Sequence, residues 1–188
     1  MLREAAPRRL VAAIAVGAAL CMGLTLALAK PGPAAAVDKD AAARLLANKI
    51  LAFPVKGYER ALRDNFDERR GEAPHEALDI VAPRGTEVVA VDHGTVAKLF
   101  KSVPGGITIY QFDESGSLAY YYAHLDRYAP GLREGDPVKR GEVIGYVGST
   151  GNARADAPHL HFTVFALGAD RKWWKGAAIN PHGALAPR

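Results

Sequence analysis

The chain has 188 residues, enough for one domain and at most two, and its 49% hydrophobic and 23% charged residues are ordinary for a globular protein. With 19 Gly and 12 Pro it is neither low-complexity nor collagen-like, and a single Cys excludes an internal disulfide and any Cys-rich zinc module. The net charge is +4, no block of five like charges occurs, and nothing offers the basic face that a nucleic-acid partner needs.

Half of that net charge lies in residues 1–29, where Arg3, Arg8 and Arg9 oppose Glu4. Residues 10–29 then run without a charge. A basic flank ahead of an apolar run is the pattern of a secretory signal, and Ala27 and Ala29, or residues 34–36, offer small residues for cleavage. An apolar run of this length also spans a bilayer, so residues 1–29 read as a signal peptide or an N-terminal membrane anchor. In both cases the basic flank stays inside and the rest is exported, to the periplasm or the periplasmic face of the inner membrane. Cys21 is a poor lipoprotein acceptor, because Leu20 precedes it where a small residue is expected.

Residues 30–53 read as a linker and a short helix. Asp38 or Asp40 can cap a helix over 40–52, with Leu45, Leu46, Lys49 and Ile50 along one stripe and Pro54 as its stop. Packing on the domain, or spacing it from a membrane, is its expected role. After Pro54 come short apolar runs divided by Gly and Pro. Strands are predicted over 79–81, 87–91, 95–100, 107–112, 118–124, 143–147 and 159–165, with explicit turns between them. Seven short strands without long intervening helices predict a mainly β fold, an antiparallel sandwich or barrel-like core filling 54–188.

All six His lie between positions 75 and 182. His159 and His161 are two apart in a predicted strand, so both point to one face, about 6.7 Å apart along the chain, while Leu160 points to the core. His75 and Asp79 are four apart, which on a helix would put them on one face. Asp79 opens a predicted strand instead, so the pair can meet only if the segment bends, with His75 on a loop. Two His and a carboxylate form a three-ligand set for catalytic Zn²⁺ with one position left for water. Spacing alone leaves open which of His159 and His161 binds metal. Hydrolysis also needs a group to move protons, and the spare histidines, His124 among them, titrate in the right range.

Several motifs in order support a family assignment. They are His75-x-x-x-Asp79-Ile-x-Ala-Pro-x-Gly-Thr, Tyr122-Ala-His124-Leu, Gly141-Glu-Val-Ile-Gly-x-Val-Gly-Ser-Thr-Gly-Asn, and Pro158-His-Leu-His-Phe162. Over residues 54–165 the chain resembles the lysostaphin-type (LytM-domain) zinc metallopeptidases, which are peptidoglycan endopeptidases. The resemblance implies a mostly antiparallel β core with a groove, zinc held by His75, Asp79 and His161, and catalytic His124 and His159 that help to activate water and steady the oxyanion. It implies peptidoglycan stem peptides as the substrate.

One departure is Ala77, where the family commonly has Gly; Gly tolerates positive φ and Ala does not, so the loop after His75 is expected to differ. His93 and His182 match no site position and are expected to be structural or exposed. Tyr120, Tyr121 and Tyr122 alternate along a strand, some toward the core and one toward the groove. Trp173 and Trp174, beside Lys172 and Lys175, offer a glycan or membrane contact or plain packing, and Arg69 and Arg70 carry no assigned role. Two other readings compete: a non-catalytic envelope module that binds peptidoglycan or regulates another hydrolase, and a peptidase of proteins. The intact five-residue set argues against the first, whereas the groove's preference is not written in the motifs.

Overall fold

The computed structural model describes residues 37–186. The predicted apolar run at 10–29 lies outside those residues, and among the described ones no helix is long and apolar enough to cross a membrane.

The first element is helix α1, Lys39–Ala47. The carboxylate of Asp38 accepts from the Ala41 N–H at 2.8 Å and so caps it. The helix expected over 40–52 ends earlier than Pro54 would require, at Ala47 with Asn48 as its C-cap. Ala42 and Leu46 are buried in the same hydrophobic cluster as the strands that follow.

Eleven strands follow: β1 (Arg69–Arg70), β2 (Ala73–Pro74), β3 (Leu78–Val81), β4 (Glu87–Val89), β5 (Gly94–Ser102), β6 (Gly106–Asp113), β7 (Leu118–Tyr128), β8 (Pro137–Val138), β9 (Val143–Val147), β10 (His159–Ala166) and β11 (Ala177–Ile179). All seven predicted strands are present. The four that the sequence did not suggest have two or three residues each, too short for alternation to show. A last short helix, α2, covers His182–Leu185.

Every pairing is antiparallel. The main sheet runs β11-β10-β7-β6-β5-β8, with β3 also on β10 and β9 joining β7 to β4. Strand β10 is central: β3 and β11 share one of its edges and β7 takes the other. Its even-numbered residues Leu160, Phe162, Val164 and Ala166 are buried with Tyr120 and Tyr122 of β7 and form the core face. The odd-numbered residues, His159 and His161 among them, face the other way, as period-two alternation requires.

Beyond α1 the chain is tied to the sheet by charge. Lys49 Nζ lies 2.8 Å from Asp92 and 3.2 Å from Asp113, and the Tyr120 hydroxyl donates to Asp92 at 2.8 Å. Burial opposes the charge on Lys49, but the hydrogen bonds and charges of the two carboxylates outweigh it and raise its pKa. Burial likewise opposes ionised Asp113, yet the Leu118 N–H, Ser115 and Lys49 hold it below the usual carboxylate value. Lys49→Met is expected to lower stability by about 3 kcal/mol, since it leaves two carboxylates without their cation. The signs also set a pH window. The depressed Asp113 contributes stability above its unfolded pKa, lost as pH falls through the lower folded value; the raised Lys49 contributes below its own unfolded pKa, lost as pH climbs past the folded one. Thermal melts from pH 7 down to below 4 should therefore fall less steeply for Lys49→Met than for the wild type.

Candidate metal centre and active site

The two histidines on β10 acquire partners through sheet register. His161 is paired directly with Asp79 of β3 on one side and with Ala123 of β7 on the other. Opposed residues of antiparallel strands project to the same face a few ångströms apart, so Asp79 meets His161 although 82 residues separate them. His75 enters by a turn: β2 ends at Pro74, and Glu76 takes a left-handed φ of 55° before β3 begins. That bend folds His75 back over Asp79, as an extended chain could not. The left-handed residue is therefore Glu76, while Ala77 has no positive φ and its methyl group is fully buried.

His75 Nε2, Asp79 Oδ1 and His161 Nδ1 face one another. The separations are 3.1 Å between His75 and Asp79, 3.2 Å between His161 and Asp79, and 3.2 Å between the two imidazoles. A tetrahedral zinc with bonds of about 2.05 Å spaces its ligand atoms by about 3.3 Å. The donor set therefore fits such an ion in both type and spacing. Surrounding groups set the protonation. His75 Nδ1 donates to the Asn65 carbonyl at 3.0 Å, which turns Nε2 toward the cluster. Burial disfavours the Asp79 charge, but hydrogen bonds from His161 and His75 and nearby positive charge hold its carboxyl far below the usual range. His75 is raised: burial lowers it, and the bonds to Asp79 and the Asn65 carbonyl prevail. In His161 burial prevails and the pKa falls.

His124 arrives by a different route. Simple alternation would turn it inward with Tyr120 and Tyr122. Between Ile109↔Tyr122 and Ile107↔Leu125, however, β7 carries one residue more than β6, and His124 sits in this bulge at φ 59°. A bulge re-aims a side chain, and here it brings the His124 ring to 4.9 Å from His159 and 5.4 Å from His161, centroid to centroid. His124 Nδ1 donates to the Thr150 carbonyl at 2.8 Å, and His159 Nδ1 donates to the Ala157 carbonyl at 2.8 Å. Each ring is thus anchored through Nδ1, and His159 Nε2 lies 3.6 Å from Asp79 Oδ1. Burial, with the neighbouring histidines, pushes His124 down to about 4 against the opposing Thr150 carbonyl. Thr150 is itself fixed by the β5–β6 hairpin. Its hydroxyl donates to the Leu125 carbonyl and accepts from the Ile107 N–H, and Gly106, at φ 66°, passes so close that a Cβ there would strike it.

The five side chains line one cleft of about 490 Å³, with Arg70, Val81 and Arg154 also on its walls. His93 lines a different cavity, and His182 lies on α2 with Nδ1 3.8 Å from Asp64. Tyr120 and Tyr122 are fully buried, while Tyr121 is half-buried with its ring edge-on to His161 at 6.1 Å. Trp173 packs on Phe100 and Tyr110, and Trp174 is exposed. Asn65, Arg70 and Thr150 support the cluster; the sequence leaves Arg70 without a role, holds Thr150 only as part of the motif at 141–152 and does not point to Asn65, because their contacts join segments distant in the chain.

Residues 73–181, more than half of the chain, match peptidase family M23. The chain belongs to peptidase family M23. This M23 chain is 33% identical over 131 residues to the L-Ala–D-Glu endopeptidase of Bacillus subtilis, a match covering 65% of the chain and 40% of that relative. It is 34% identical over 115 residues to the peptidoglycan DD-endopeptidase ShyC of Vibrio cholerae, covering 58% of the chain and 25% of that protein. The M23 chain thus spans well under half the length of these curated relatives. Among solved structures it resembles the catalytic domain of lysostaphin from Staphylococcus simulans, with a TM-score of 0.53 and 28% identity over 76% of this chain and 96% of that one. The likeness to lysostaphin-type peptidases read from the motifs is therefore sound.

Proposed function

We propose that the protein is an exported, zinc-dependent endopeptidase that hydrolyses peptide cross-links of bacterial peptidoglycan. The observation that carries this reading is the meeting of His75 Nε2, Asp79 Oδ1 and His161 Nδ1 within 3.2 Å of one another, with His124 and His159 beside them in one cleft. In this reading the first three hold one zinc ion, and His124 and His159 are the catalytic pair. Bound there, zinc supplies a Lewis acid that polarises the scissile carbonyl and makes water acidic near neutral pH. Burial holds the His124 ring neutral, and with its Nδ1 donating to the Thr150 carbonyl its Nε2 is free to accept; the His159 Nδ1 donates to the Ala157 carbonyl, which leaves its Nε2 on the side of Asp79. Between them they accept a proton from the attacking water, return it to the leaving amine, and donate a hydrogen bond where negative charge develops on oxygen.

The substrate follows from similarity to peptidoglycan-cutting relatives, and the donor chemistry supports zinc. Digestion of purified sacculi, with mass analysis of the released muropeptides, tests the reading. Newly freed peptide termini at cross-links are expected, and intact sacculi would refute it.

Residues 54–188 are proposed as the peptidase domain, preceded by the linker and α1 in 30–53 and by a signal peptide or inner-membrane anchor in 1–29. A periplasm-active reporter fused after residue 40 is expected to be active. Signal confined to the cytoplasm would refute export, and mass analysis of the mature N-terminus distinguishes cleavage from anchoring.

A further inference from the structure

The two carboxylate oxygens of Asp79 have different partners. Oδ1 faces His75 Nε2, His161 Nδ1 and His159 Nε2, whereas Oδ2 accepts from Arg70 Nη2 at 2.8 Å. We infer that Arg70 is a positioning residue that holds Asp79 as a single-oxygen metal ligand. The inference rests on the reading that His75, Asp79 and His161 bind the ion.

A carboxylate facing a cation can turn to offer both oxygens. A guanidinium hydrogen bond to Oδ2 opposes that turn, because a charge-assisted bond to a carboxylate is short and directional. Asp79 is mostly buried, and its main-chain N–H donates to Asn65 Oδ1 at 3.2 Å, so its backbone is held as well. Arg70 is placed with equal care. It lies on β1, paired with Ala73 of β2, and the His75 N–H closes this small hairpin by donating to the Glu68 carbonyl at 2.8 Å. The same hairpin therefore aims both Arg70 and His75. Glu68, 3.6 Å away and exposed, competes little for the guanidinium. Arg70 is about half exposed, so its loss removes little packing, and a lysine there would keep the charge while losing the planar fork.

The experiment loads the full chain with Zn²⁺ or Co²⁺ and compares the wild type with Arg70→Ala and Arg70→Lys. Zinc affinity is read by competition with a chromophoric chelator. The geometry is read from the visible absorption of the Co²⁺ form, which is intense for four-coordinate and weaker for five-coordinate cobalt. Arg70→Ala is expected to weaken zinc binding about 10–100-fold, the usual effect of losing a partner that orients a ligand, and to weaken the Co²⁺ absorption as Asp79 supplies its second oxygen. Arg70→Lys is expected to recover part of both, and it tests the idea if the alanine variant misfolds. Unchanged affinity and an unchanged Co²⁺ spectrum in the variants would overturn the role of Arg70. A wild type that binds neither ion would instead refute the metal-site reading beneath it.

Discussion

An Asp79→Ala variant is expected to lose bound zinc and hydrolytic activity together. Asp79 is the one anionic donor of the cluster, and its Oδ1 stands within 3.2 Å of both imidazole donors. Its removal leaves two neutral histidines to hold a divalent cation and frees the Arg70 guanidinium in the same cleft. Losing a Lewis acid forfeits several kcal/mol of transition-state stabilisation, and at about 1.4 kcal/mol per tenfold the rate falls on the order of 10³-fold or more. Elemental analysis after dialysis, beside a cross-linked muropeptide assay, checks both halves. Full zinc occupancy in this variant would show that the donor set is wrong.

Changing His124 separates catalyst from ligand. Its Nδ1 is committed to the Thr150 carbonyl, and its ring lies beside His159 and His161 without being one of the three clustered donors. His124→Ala is therefore expected to keep its zinc while hydrolysis slows on the order of 10²–10⁴-fold, the range for losing a positioned acid–base group. Substrate binding should weaken far less, because the lost interaction belongs to the transition state. His124 occupies left-handed backbone, which asparagine tolerates better than most residues, so His124→Asn is the companion that guards against a folding defect. Wild-type rates in both variants would make His124 a bystander, and loss of zinc would make it a ligand.

Much of this is legible in the amino-acid sequence. The strand expected over 107–112, the turn residues that bound it and the two-residue spacing of His159 and His161 all follow from local chemistry, because strand periodicity is a property of a few consecutive residues. The bend between His75 and Asp79 is also implied, since the pair needs one to meet. The place of that bend is not: the Ala-for-Gly departure at Ala77 lies one residue beyond it, and Glu76 carries the left-handed φ. The helix expected over 40–52 stops at Ala47 because the following residues leave the helix to reach the sheet, Lys49 toward Asp92 and Asp113, and Ala52 N–H to the Val91 carbonyl.

Residue type and short spacing carry the seven longer strands, the order of the motifs and the proposal of five side chains for metal binding and proton transfer. How they meet depends on long-range pairing. Register across β3 and β10 sets Asp79 opposite His161, and the extra residue in β7 turns His124 out of the core toward the cleft. The hairpin of β1 and β2 brings Arg70 to the back of Asp79. These are relations between segments tens of residues apart, fixed by backbone hydrogen bonding and by which face each strand buries, and no local pattern in either segment encodes its partner.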